Sequence, residues 1–172
     1  VKRIRVDHLS DATDAVAALI VEQGARLVRI DGHSAAGKSS LAKQLARVLS
    51  GIHVETDAYL IAGGSLQQEQ LTDNMALYLT SGLYVILEGI RLEERFPSVG
   101  LPAFCIVVTP DFKSTEDATR SASTAAMLGV DKYLEQYRPI DHASVEVIVT
   151  VPDGHAEQLA AIDELNHPDR NG

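Results

Sequence analysis

Four residues in the stretch IDGHSAAGKSS, positions 30–40, have the types and spacing of a phosphate-holding loop. Gly32, Gly37, Lys38 and Ser39 satisfy the pattern G-x-x-x-x-G-K-[ST] in full. The glycines let the backbone curl so that successive N–H groups face one anion. A helix that follows them turns its positive N-terminal end toward the same point. Lys38 offers a mobile cation to the β- and γ-phosphates of a nucleotide, and the Ser39 hydroxyl is a hard oxygen donor for Mg²⁺. The expected nucleotide contacts are Gly32, Ser34, Ala35, Ala36, Gly37, Lys38, Ser39 and Ser40. The bland alternative is an ordinary glycine turn between a strand and a helix. His33, inside the loop, is expected to face solvent.

Moving a phosphate asks for more than holding it: an acceptor in line, a group to take the acceptor's proton, and charge to neutralise the moving phosphoryl. Asp57, in VETDAYL, ends a predicted strand and could take that proton, or it could cap a turn. Glu55 and Thr56 beside it are weaker candidates. Glu88 closes the apolar run YVIL, the pattern of a strand whose acid reaches Mg²⁺ through water; the alternative is a carboxylate that only accepts backbone N–H bonds. Gly89 would let the chain turn close to such a site. Cations for the phosphoryl charge are expected from a lid over about 111–138, which offers Lys113, Arg120, Lys132 and Arg138. Arg120 is the catalytic candidate and Arg138 a nucleotide contact, with Ser114 and Asp117 as a capping box for the helix carrying Arg120. Tyr59, Tyr78 and Tyr84 are candidates for an acceptor pocket or for half-buried packing.

These residues must be positioned by a regular scaffold. RLVRI (26–30) reads as a strand leading directly into the glycine loop, and Leu41, Leu45 and Leu49 mark one face of the helix after it. Further strands are expected at 52–56, 83–89, 103–109 and 145–150, with helices at 68–80, within 114–138, and in HAEQLAAIDEL. Ahead of them lie RIRV (3–6), a short edge strand, and a helix N-capped by Ser10 with Asp11 and Asp14 in its first turn, ended by Gly24. Strands alternating with helices imply a parallel sheet covered on both faces. Arg29 is awkward in such a sheet unless its stem lies under a helix.

The bulk numbers fit one domain spanning 1–172, with 45% hydrophobic and 23% charged residues, ordinary for a soluble globular chain. A net charge of −9 opposes non-specific contact with nucleic acid or anionic lipid, so neither is expected as a partner. No apolar run approaches the roughly 18 residues of a membrane span. VKRIRVDHLSD lacks the apolar stretch of a signal peptide, and the single cysteine, Cys105, cannot form an internal disulfide; both lead to the expectation of a cytoplasmic protein. Cys105 itself reads as a buried strand residue. A homodimer is left open.

With those residues in place, the chain resembles the P-loop nucleoside and small-metabolite kinases, within them the uridine kinase and phosphoribulokinase-like group. IDGHSAAGKSSLA is similar to their opening motif, TDAYL to their motif after the second strand, VILEGI to their third-strand motif, and YLEQYRPID with ASVEVIV to their approach to the last strand. The resemblance implies a three-layer α/β P-loop NTPase fold with a five-stranded parallel sheet in the order 2-3-1-4-5, Mg-ATP as donor, and transfer to a hydroxyl. It implies Asp57 as base and Lys38, Ser39 and Glu88 as the Mg-ATP centre. Asp57 and Glu88 lie 31 positions apart, closer than in uridine kinases, and the lid carries fewer arginines. The expected acceptor is therefore a small hydroxylated metabolite or nucleoside. The alternative is a P-loop ATPase or nucleotide-binding switch with no small-molecule acceptor; a kinase of nucleic-acid ends is opposed by the charge.

Overall fold

The computed structural model describes residues 1–33, 36–59, 67–96, 102–127 and 129–152. Its strands are β1 (Lys2–Val6), β2 (Leu27–Gly32), β3 (Ile52–Glu55), β4 (Val85–Glu88), β5 (Ala103–Phe112) and β6 (Val145–Val151). Its helices are α1 (Leu9–Gln23), α2 (Lys38–Val48), α3 (Gln68–Thr80), α4 (Leu92–Arg95), α5 (Thr115–Met127) and α6 (Val130–Tyr137), with 3-10 turns at Thr56–Tyr59 and Pro139–His142. The strands form one all-parallel sheet in the order β1-β6-β5-β2-β4-β3.

The expected five strands in the order 2-3-1-4-5 are thus corrected, among the described residues, to six, the order differing by the N-terminal strand, which joins beyond β6. Its composition explains the position: Ile4 and Val6 pack on the core while Lys2, Arg3 and Arg5 stay exposed, the alternation of a half-buried edge strand.

The central strand β2 is buried along its whole length, so its two faces feed two cores. Val28 and Ile30 join Val16 and Ile20 of α1 and Leu41 and Leu45 of α2. Leu27 lies on the other face with Val85 and Leu87 of β4, Leu71 and Met75 of α3, and Leu92 of α4. Arg29 shares that second face and is buried. Its Nη2 donates to the Phe96 carbonyl at 2.7 Å and lies 2.8 Å from Glu93 Oε2, so α4 covers and pairs it.

Several boundaries differ from expectation for local reasons. α1 starts at Leu9 after the extended His8, which places Ser10 inside the first turn rather than at the cap. α1 does end at Gly24, in the left-handed region at φ 69°. The 114–138 region divides into α5 and α6, with Gly129 at φ 67° starting the second. Ser114 Oγ accepts the backbone N–H groups of Glu116 (3.2 Å) and Asp117 (3.3 Å), capping α5. The closing helix expected at HAEQLAAIDEL lies outside the described residues. Among the described residues, no helix is long and apolar enough to cross a membrane.

Candidate nucleotide and phosphate-transfer site

Parallel pairing brings the carboxyl ends of three neighbouring strands to one edge. Glu88 at the end of β4 is level with Ile30 of β2 on one side and Glu55 of β3 on the other. The glycine loop after β2, Asp57 just past β3, and Glu88 therefore lie at the carboxyl edge of the sheet, where folds of this type place their ligands. Close backbone approach tightens it. A Cβ on Gly89 would lie 1.9 Å from Thr56 Oγ1, so the turn carrying Asp57 runs in contact with the end of β4. Gly32 adopts φ 129°, and a Cβ there would lie 2.2 Å from the Val108 carbonyl, which leaves glycine as the residue that fits.

Gly37 (φ 81°) starts α2 at Lys38, so the first turn of the helix presents Lys38, Ser39 and Ser40. Lys38 is buried, and its Nζ donates to the loop's own carbonyls, Gly32 at 3.3 Å and His33 at 2.6 Å. Burial pulls the Lys38 ammonium below its ordinary value, while the charges of Glu88, Asp31 and Asp57 oppose that pull. All three carboxylates thus lie within electrostatic reach of Lys38. Ser39 Oγ donates to Glu88 Oε1 at 2.8 Å. His53 Nε2 stands 3.4 Å from the same oxygen, without the geometry of a hydrogen bond. Burial alone would raise the Glu88 carboxyl, but His53, Ser39 and the Lys38 charge together hold it below its ordinary value.

Asp57 is exposed, and its Oδ1 accepts from Arg95 Nη1 of α4 at 3.0 Å. Ala36 is buried, and Ser34 and Ala35 lie outside the described residues. His33 is half-buried rather than solvent-facing; burial, then the Lys38 charge, lowers its imidazole. Arg120 pairs with Glu116 on its own helix (3.1 Å), and Arg138 with Asp141 (2.9 Å); neither pair includes a loop residue or Asp57. Tyr59 accepts from Asn74 Nδ2 at 3.0 Å and, like Tyr78, packs on the α3 core. Tyr84 precedes β4, at the opposite end of the strand from Glu88, beneath the Arg26 guanidinium (4.3 Å). An acceptor pocket at the loop cannot include it. Cys105 is half-buried, its thiol raised by burial.

Two features went unread in the sequence. One is Arg95, seven residues past Glu88 in a segment without clear periodicity. The other is a buried junction at the base of the loop. Tyr133 of α6 donates its hydroxyl to Asp31 Oδ2 and accepts the Glu93 N–H at 3.0 Å, and Asp31 Oδ1 accepts the Gly32 N–H at 2.7 Å. The signal for it was an aspartate in an apolar strand, immediately before the first loop glycine.

A hydroxyl and a carboxylate 2.8 Å apart are hard oxygen donors of the type Mg²⁺ takes alongside phosphate oxygens and water, so Ser39 and Glu88 fit that ion. Among the described residues, no three His, Cys, Asp or Glu side chains gather into a metal-holding group.

The chain is similar in fold to a possible uridine kinase from Bacillus stearothermophilus, with a TM-score of 0.56 over 81% of this chain and 98% of that one, at 19% identity. It has a P-loop kinase-like fold. No protein-family profile matches the sequence, and no curated protein does.

Proposed function

We propose that the protein is an ATP-dependent phosphotransferase that moves the γ-phosphate of Mg-ATP to a hydroxyl of a small metabolite or nucleoside. The observation that carries this is the grouping of Lys38, the Ser39–Glu88 pair and Asp57 at one sheet edge, with all of the carboxylates acting on Lys38. The backbone N–H groups of the loop and the start of α2 receive the phosphates, and Lys38 releases its loop carbonyls to bind them. Ser39 and Glu88 hold Mg²⁺, which when bound neutralises phosphate charge and orients the terminal group. Asp57 takes the proton of the acceptor hydroxyl as the new O–P bond forms and the bond to the β-phosphate bridging oxygen breaks, leaving ADP. Arg95, held against Asp57, keeps that carboxylate on the acceptor side. The kinase-like fold of a possible uridine kinase supports the same reading. The protein's setting is proposed to be the cytoplasm, with a small molecule rather than nucleic acid as partner.

The test is an ATP-consumption screen with Mg²⁺ against nucleosides, sugars, polyols and small hydroxy acids, with Lys38→Ala alongside. Acceptor-dependent ADP formation that disappears in the variant is the expected result. A slow, acceptor-independent signal would instead favour an ATPase or switch module. The pairing of Arg120 with Glu116 and of Arg138 with Asp141 is the observation on that side.

A further inference from the structure

Asp31 takes no part in the proposed transfer, yet it is buried and stands directly before the first loop glycine. Its charge acts on Lys38, so an ionised Asp31 and the Lys38 ammonium attract each other in a place of low polarity. They do not pair. The Gly32 amide occupies one Asp31 oxygen and the Tyr133 hydroxyl the other, while Lys38 Nζ donates to the Gly32 and His33 carbonyls. Tyr133 is 2% exposed, and its hydroxyl is fixed a second time by the Glu93 N–H. Phosphate can displace neutral carbonyls from Lys38 more readily than it can displace a buried carboxylate.

We propose that Tyr133 is a positioning residue of the phosphate loop: its hydroxyl keeps the Asp31 carboxylate turned away from Lys38, so that the ammonium remains available to the phosphates of a nucleotide. This rests on the nucleotide-binding half of the function above and is independent of the transfer step. Loss of the hydroxyl leaves a buried carboxylate one donor short; of the two cations whose charges act on it, Arg29 is already paired with Glu93 through Nη2, and Lys38 is the one to replace the hydroxyl. The site would then be blocked by its own ion pair.

The test is the dissociation constant for Mg-ATP, measured by titration calorimetry on the whole chain, with a thermal melt of each variant. Tyr133→Phe is expected to weaken binding about tenfold, the equivalent of one charged hydrogen bond. Tyr137→Phe serves as control: that ring stacks on Tyr133 at 5.1 Å, and its affinity should stay within about twofold of wild type. The deciding variant is Asp31→Asn combined with Tyr133→Phe. A neutral amide does not compete for Lys38, so the double variant should recover to within about threefold of wild type, which loss of packing alone would not produce. Wild-type affinity in Tyr133→Phe, or a double variant as weak as the single one, overturns the proposal. Should Tyr133→Phe not fold, Asp31→Asn alone decides it: affinity equal to or above wild type supports the proposal, and a loss of about tenfold or more sinks it. Wild type that binds Mg-ATP but phosphorylates no acceptor defeats the kinase function and leaves this inference standing. Wild type that binds no nucleotide defeats both.

Discussion

Asp57→Asn separates chemistry from scaffolding at the proposed base. The substitution keeps the size of the side chain and removes the charge that would take the acceptor's proton. Its structural cost is small, because among the described residues the ion pair on the carboxylate is the 3.0 Å contact with Arg95, with side chains 43% and 21% exposed. Such a half-exposed pair is worth at most about 1 kcal/mol once solvent screening is counted. For a chain of this size that corresponds to a melting shift of roughly 2–4 °C. Loss of a general base lowers the transfer rate by about 10²–10⁴-fold. The two effects differ enough in size to be told apart. ADP release would be followed in a coupled assay at saturating Mg-ATP and acceptor, with Mg-ATP affinity measured separately. The expected result is a collapse of kcat with nucleotide affinity and melting temperature nearly preserved. A kcat within about threefold of wild type would refute the assignment, since no base contribution of the stated size could then exist.

Glu88→Gln removes a carboxylate bonded to Ser39 and should raise the Mg²⁺ concentration giving half-maximal activity by about 10–100-fold, read from a Mg²⁺ titration at fixed ATP. Gly32→Ala forces a side chain into a φ of 129° and against the Val108 carbonyl, which cannot move without β5; a loss of about 1–3 kcal/mol or more in a urea melt, together with loss of nucleotide binding, is the expected outcome. Asp31 gives a pH signature. Burial raises its carboxyl above the ordinary value, against the opposing bonds from Tyr133 and Gly32 and the charges of Lys38 and Arg29. Between the unfolded value, about 3.9, and the raised folded one, the folded chain holds more proton than the unfolded chain, so stability falls as pH rises through that window. The melting temperature of Asp31→Asn relative to wild type should therefore be higher at pH 8 than at pH 3.5; a difference independent of pH would count against a raised carboxyl.

The parts of the site legible in the sequence were those carried by contiguous residues. The loop could be read from four positions within eight, and α3 at Gln68–Thr80 from the step of Leu71, Met75 and Leu79. Glu88 could be placed at a strand end because the apolar run before it stops there. What stayed hidden depends on contacts between distant parts of the chain. Tyr133 meets Asp31 across 102 positions, and nothing in YLEQY distinguishes a tyrosine that reaches a buried aspartate from one that packs on a neighbour. Arg29 looked misplaced because its partners, Glu93 and the Phe96 carbonyl, lie in and just after a four-residue helix too short to show a period. Ser10 has the chemistry of a cap, but the helix starts two residues earlier, after the extended His8.

Short as it is, α4 bears on how a chain with few lid arginines could still neutralise phosphoryl charge. Arg120 and Arg138 pair with Glu116 and Asp141 close by in sequence, each a surface pair of modest worth. Arg95 pairs with Asp57 itself. Leu92 is buried in the α3 core, the Glu93 N–H is bonded by Tyr133, and the Phe96 carbonyl is bonded by buried Arg29. The residues on either side of Arg95 are therefore held by the interior of the protein, and its guanidinium meets Asp57 as a consequence of that packing. A cation placed by the core is organised before substrate arrives, which is the condition under which charge in a site contributes most to a transfer step. In this arrangement one tyrosine hydroxyl touches both sides of the proposed reaction. Through Asp31 it bears on the loop that would hold the donor, and through Glu93 on the helix whose Arg95 meets Asp57, the proposed base.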